Sequence, residues 1–131
     1  MKAIPTAVYV LVSRRGNRAK IGASSRPRRR GIEVAWASFA PGSRLVKVWD
    51  RPKDALLVER VAHWQLAELH EGNEWFDVGA ERAIAAVEAA IAKVDAGDVS
   101  RDETTKRVPR RSLARSHQKA MDEFARRMGQ S

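Results

Sequence analysis

A phenol, an ammonium, a guanidinium and a carboxylate follow one another along this chain in an order suited to phosphodiester cleavage. Tyr9 lies in the apolar run Val8-Tyr9-Val10-Leu11-Val12. Lys20-Ile21-Gly22 follows, then Arg30, then Glu59 within Ala55-Leu56-Leu57-Val58-Glu59, and Gly72-Asn73-Glu74-Trp75-Phe76 closes the region. Cleaving a phosphodiester needs a nucleophilic water, neutralisation of phosphate charge and help for the leaving alkoxide. Arg30 offers a planar fork matched to phosphate oxygens. Glu59 suits one hard divalent ion, Mg²⁺ or Mn²⁺, completed by waters and phosphate. A free tyrosine has a pKa near about 10, so Tyr9 needs a cation beside it before it can act as a base. Lys20, on the neighbouring strand, is one.

Each of these residues also has a plainer reading. Tyr9 suits a strand core, Lys20 a solvent-facing position, and Arg30 belongs to the triplet Arg28-Arg29-Arg30. Glu59 is the most telling, because an acid flanked by Ala-Leu-Leu-Val and by Val61-Ala62 is unusual; its plain reading is a salt bridge to Arg30 or another arginine. His63 and His70 read equally as border histidines. The four tryptophans suit a core or lid, although Trp36 in a loop would be able to stack on a base.

The charge distribution points the same way. Residues 1–30 hold nine Lys/Arg and no acid, residues 31–100 a net −5, and residues 101–131 a net +5, within an overall +9. Two basic segments around an acidic middle suggest a polyanion partner, DNA with RNA left open, met by both ends. Arg14, Arg15, Arg26, Arg28 and Arg29 are the phosphate-contact candidates at the first end, and Arg110, Arg111 and Arg115 at the second. The plain alternative is that these are solvated faces. No cysteine is present, which excludes disulfides and Cys-based zinc sites, and three histidines argue against structural zinc. Pro5 and the shortness of the first apolar run argue against a signal peptide, and no stretch approaches the roughly 20 apolar residues of a membrane span. A soluble cytoplasmic protein is expected.

The elements that must position these groups can be read from patterning. Ala7 to Ser13 and Ala19 to Ala23 read as an antiparallel hairpin turning at Arg14-Arg15-Gly16-Asn17. Ser24-Ser25 cap a short helix opened by Pro27 and ended or weakened at Gly31. Trp36 to Gly42 reads as a loop. Arg44 to Trp49 is a third strand. Asp50 caps a helix, with Pro52 just inside its start, that reaches about His70. On that helix Ala55, Val58, Ala62, Leu66 and Leu69 form a stripe, and Glu59, His63 and His70 fall on its edge within an arc of roughly 40°. Leu57 and Trp64 face the other way and need cover, for which the C-terminal helix is one candidate. Trp75 to Val78 is short and extended, and Ala80 to Val94 is helical. Residues 96–108 read as a polar linker, and residues 109–131 as a basic amphipathic helix that grips phosphates, docks on the domain or pairs with another chain.

Taken in order, these residues resemble the GIY-YIG nuclease superfamily. Ala7-Val8-Tyr9 resembles the first tripeptide, with only the tyrosine kept, and Lys20-Ile21-Gly22 the second, with lysine in the tyrosine position. Arg30, ten residues after Lys20, and Glu59 resemble the helix-borne arginine and the metal-binding glutamate. The Lys-Ile-Gly form, His63 and Glu74-Trp75-Phe76 are similar to the phage and bacterial branch called meiotically up-regulated gene 113-like. The resemblance implies an α+β nuclease domain over residues 1–95, a small three-stranded antiparallel sheet flanked by helices. It also implies divalent-metal-dependent endonuclease hydrolysis of DNA. Under it Tyr9 holds or deprotonates the attacking water, Lys20 sits near that water or the scissile phosphate, and Gly22 lets the backbone pass beneath the site. Arg30 neutralises phosphate and Glu59 binds the metal. Val34 stands where the family often has His or Tyr, which leaves His63 or His70 to take over proton transfer, and Asn73 is a candidate for the late asparagine. The alternative is a catalytically degenerate nucleic-acid-binding module on the same fold; a further one is an interaction protein that recruits a partner through its tail.

Overall fold

Val8, Val10 and Val12 point to one face of the first strand and Tyr9 and Leu11 to the other, and all five are buried. A strand apolar on both faces belongs in the middle of a sheet. A computed structural model describing residues 3–36, 42–110, 126, 128 and 129 places it there. Strand β1 (Ala7–Val12) pairs antiparallel with β2 (Ala19–Ser24) on one side and β3 (Arg44–Asp50) on the other. Two short strands, β4 (His70–Gly72) and β5 (Trp75–Phe76), complete a five-stranded sheet in the order β3-β1-β2-β5-β4. The expected α+β class is correct, and the sheet has five strands where three were expected.

Helices cover both faces. Helix α1 (Pro27–Trp36) packs on β1, β2 and β3, with Gly31 against Leu11 and Leu45. Helices α2 (Ala55–Gln65) and α3 (Ala80–Asp95) bury Val58, Val61, Ala62, Val87 and Ala90 against Val8, Val10, Val12, Ile21 and Phe76. Gly31 does not end α1. It is buried in the middle of the helix, and a Cβ there would lie 3.2 Å from Leu11 Cδ2, so the glycine permits close helix–sheet approach. The first turn of α1 begins as expected, with Ser24 Oγ accepting from the Arg26 amide at 3.0 Å and Pro27 as the first helical residue. Residues 37–41, part of the expected loop, lie outside the described residues, as does nearly all of 111–131.

Three other elements differ from their sequence reading. Helix α2 starts at Ala55 rather than near Asp50, and Arg51 clamps its entry through Asp54 (2.8 Å) and Asp95 on α3 (2.6 Å). It stops at Gln65, followed by a single 3-10 turn (Ala67–Leu69), because His70–Gly72 is taken up as a strand against Trp75–Phe76. The segment expected as a polar linker holds a further helix, α4 (Arg101–Thr105). It carries a capping box: Ser100 Oγ accepts from the Glu103 amide and the Glu103 carboxylate accepts from the Ser100 amide. This segment covers Trp64, whose indole nitrogen donates to the Lys106 carbonyl at 3.0 Å; the C-terminal helix expected to do so lies almost wholly outside the described residues. Among the described residues no helix is long and apolar enough to cross a membrane.

Tyr9 packs tightly on Gly22 between β1 and β2. They are direct cross-strand partners, and a Cβ on Gly22 would lie 2.4 Å from both Cζ and Oη of the Tyr9 ring. That ring is 1% exposed and has no room to yield. Gly22→Ala should therefore destabilise the fold by about 1–3 kcal/mol, as overpacking does, measured by urea or thermal denaturation against wild type. An unchanged midpoint would mean that the ring is not held where the structure puts it.

Candidate active site

Cross-strand partners share a face of a sheet, so Leu11, Lys20, Tyr9 and Gly22 lie together on the α1 side. Glu59 and His63 come from α2, on the other side. The two sets meet because β5 pairs only with Ala19 and Lys20. Beyond Lys20 no described strand covers the edge of β2, and groups from both faces reach round that edge. The result is a cleft of about 680 Å³ whose lining includes Lys20, Arg30, Glu59, His63, His70 and Glu74. Tyr9 lies behind it, its phenol facing the Arg30 guanidinium.

The uncovered edge is itself satisfied in part. The Ile21 amide donates to the Glu74 carbonyl at 3.2 Å, and the Ile21 carbonyl is 2.7 Å from His63 Nε2. A carbonyl can only accept, so Nε2 of His63 carries the proton. His63 thus ties α2 to β2. Burial pushes its imidazole below the usual histidine range, so the ring is neutral at physiological pH. Its ring lies 6.4 Å from that of His70, stacked at 18°, and both pack on Phe76. The expected neighbourhood of Glu59, His63 and His70 holds, although His70 arrives on β4 rather than on α2.

Charge in the cleft is arranged around Lys20, which is 6% exposed. Burial lowers its pKa, and Glu74, with Oε2 3.7 Å from Nζ, pulls it back up. Glu59 faces Glu74 as well. Burial first, and then the neighbouring Glu74 carboxylate, push the Glu59 carboxyl well above the usual carboxylate range. The Glu59 carboxyl is therefore the one that holds a proton at neutral pH. His63 Nε2 is 3.7 Å from Glu59 Oε1. Among the described residues no three or more His, Asp or Glu side chains converge as a metal cage. The Glu59–Glu74 pair supplies hard oxygens on one side of a cleft, a donor set that suits a divalent cation keeping part of its water shell.

Tyr9 departs from the role of a ready base. Burial raises its pKa to about 12, with Glu74 adding to the rise, and the facing Arg30 guanidinium offsets only part of it. The phenol is protonated at neutral pH, and the cation that pulls on it most is Arg30 rather than Lys20. Arg30 also pairs with Glu33 on its own helix, Nη1 to Oε2 at 3.3 Å.

The basic candidates separate into groups. Arg14 and Arg15 line a second groove of about 550 Å³ with Arg18, on the far side of the β4–β5 hairpin, and Asn73 lines both hollows. Arg26, Arg28 and Arg29 are exposed around α1. Arg110 lies over Gly72, where a Cβ would be 3.5 Å from its Cδ. Arg111 and Arg115 lie outside the described residues.

Residues 6–91, which hold the sheet, α1, α2, most of α3 and the cleft residues from Lys20 to Glu74, match the T5orf172 domain. The chain belongs to the T5orf172 domain family. No curated protein and no solved structure matches it.

Within this T5orf172 domain the residue least visible beforehand is Glu74. It sits with Asn73 at the tip of the β4–β5 hairpin, at φ 69° and 51°, the left-handed conformation of a two-residue primed turn. Asn-Gly would announce such a turn; Asn-Glu does not. Holding glutamate there costs about 1–2 kcal/mol, and it delivers a carboxylate between Lys20 and Glu59.

Tyr9 is the sole tyrosine of the chain, so phenolate absorbance reports on it alone. Its alkaline titration should have a midpoint near 12. Because Glu74 raises that value and Arg30 lowers it, Glu74→Gln should move the midpoint down and Arg30→Gln should move it up. A native-state midpoint close to about 10 would show that the phenol is not buried in this cluster.

Proposed function

We propose that this T5orf172 domain is a divalent-metal-dependent endonuclease that hydrolyses DNA phosphodiester bonds. The observation that carries the reading is the convergence on one cleft of Lys20, Arg30, Glu59 and Glu74, backed by Tyr9, from β1, β2, α1, α2 and a hairpin tip. These residues are far apart in sequence, and their meeting at an uncovered strand edge has no structural purpose that a hydrophobic edge would not serve better. The resemblance of their order to the GIY-YIG nucleases supports the same reaction.

Glu59, with Glu74 beside it, would hold one Mg²⁺ or Mn²⁺, which supplies Lewis acidity at the phosphate when bound. Arg30, half exposed at the cleft, offers its fork to the non-bridging phosphate oxygens. Lys20 places positive charge at the cleft floor, where burial strengthens its pull on a phosphate or an attacking water. Tyr9, neutral and facing Arg30, would orient that group; its raised pKa favours holding over deprotonating. His63 fixes α2 against β2 and so sets where Glu59 stands.

A second reading is a nucleic-acid-binding module that does not cut, and the protonated state of Tyr9 favours it. One assay separates the two. Supercoiled plasmid incubated with the protein and Mg²⁺ or Mn²⁺ should be nicked, chelator should abolish nicking, and Glu59→Ala should lower the rate by about 10²-fold or more, the scale of losing one transition-state-stabilising group. DNA binding without nicking would establish the second reading. Equal cutting by Glu59→Ala would remove Glu59 from the mechanism.

A further inference from the structure

The T5orf172 match ends at residue 91, but the structure around the cleft does not. Residues 100–110 run back across α2 as a strap. Its helix α4 is fixed by Glu103, which is 9% exposed, closes the capping box with Ser100 and accepts from Lys93 Nζ at 2.9 and 3.1 Å. From α2, Arg60 Nη1 donates to the Thr104 carbonyl at 2.6 Å and Trp64 Nε1 to the Lys106 carbonyl at 3.0 Å. Val108 is 7% exposed, and it and Arg107 form part of the wall of the same cleft that holds Lys20 and Glu59. Arg110 follows, over Gly72 next to the tip of the hairpin.

The chemistry of the docking is selective. The strap is held through two backbone carbonyls, one buried glutamate and one valine. None of these contacts uses the guanidinium groups of Arg107 and Arg110, so docking brings positive charge to the cleft without neutralising it. A strap that served only to cover α2 would have no need of arginine at the position that lines the cleft.

We propose that this strap is the second wall of a nucleic-acid site, with Arg107 contacting a backbone phosphate beside the one bound in the cleft. Arg110 continues the contact over the hairpin toward the groove of Arg14, Arg15 and Arg18. The inference rests on the nucleic-acid reading of the cleft. It extends the binding surface past the family domain into residues 100–110.

The test uses the full chain in chelator, so that nothing is cut, and follows the anisotropy of a fluorescein-labelled DNA duplex across a salt series. Arg107→Gln should weaken binding several-fold and reduce the salt slope by about one, as loss of one phosphate contact does. Arg101→Gln removes the same charge from an exposed position on the same strap and should do much less. Glu103→Ala gives an independent readout of opposite sign. It raises the net positive charge, so general electrostatics makes binding tighter, whereas release of the strap makes it weaker. Equal effects of Arg107→Gln and Arg101→Gln, with tighter binding by Glu103→Ala, would overturn the strap's role while leaving the cleft intact. A wild-type chain that binds no duplex would overturn the strap and the nuclease reading together.

Discussion

Lys20 is an ammonium group buried in the middle of a sheet, and that constraint organises the region around it. An unpaired buried charge costs several kcal/mol, so negative charge has to be brought to it. Glu74 meets the need at 3.7 Å, but only because the β4–β5 turn places a glutamate in a left-handed conformation that the backbone resists. Glu59 then faces both partners, and burial first, with Glu74 adding to it, makes its carboxyl keep its proton. Lysine, strained glutamate and protonated glutamate are three consequences of one decision, to bury an ammonium on β2. Strain of this kind persists where the surrounding structure over-determines it, and it concentrates at functional sites.

The second consequence concerns topology. A β5 that paired along all of β2 would seal the edge, separate the two faces of the sheet and leave Arg30 and Glu59 on opposite sides of a wall. By ending its pairing at Lys20, β5 lets α1 and α2 contribute to one cleft. Gly22 matters at the same place. Its missing side chain lets the Tyr9 ring lie flat on β2, which sets the depth of the phenol behind Arg30. The histidine tie from α2 to the Ile21 carbonyl then fixes the distance across the opening.

How much of this was legible in the sequence depended on how local the cause was. The β1–β2 hairpin, β3 and α3 follow from alternation, turn residues and helical spacing, and lie within a residue or two of their expected bounds. The apolar stripe of α2 and the border position of Glu59 and His63 were visible because 3.6-residue periodicity survives any tertiary context. Of the β4–β5 hairpin only the extended stretch at Trp75–Phe76 was visible: the strands are three and two residues long, the tip lacks glycine at the left-handed position, and helical patterning runs as far as His70. Gly31 was misread because a glycine inside a helix signals either an end or a close approach, and only the position of Leu11 decides which. Helix α4 did have a signal, Ser100 followed by Glu103, hidden in a stretch whose polarity reads as linker. The state of Tyr9 could not be read at all, since it depends on burial and on Glu74, sixty-five residues away in the chain.

The central claim is that one phosphate and one divalent cation meet at the uncovered edge of β2. Crystals grown with a short DNA duplex and Mn²⁺ test it directly through the anomalous signal of manganese. The account predicts a manganese peak against Glu59, with a DNA phosphate beside it in reach of Arg30. Manganese bound elsewhere, or DNA seated away from this cleft with the edge of β2 left bare, would contradict it.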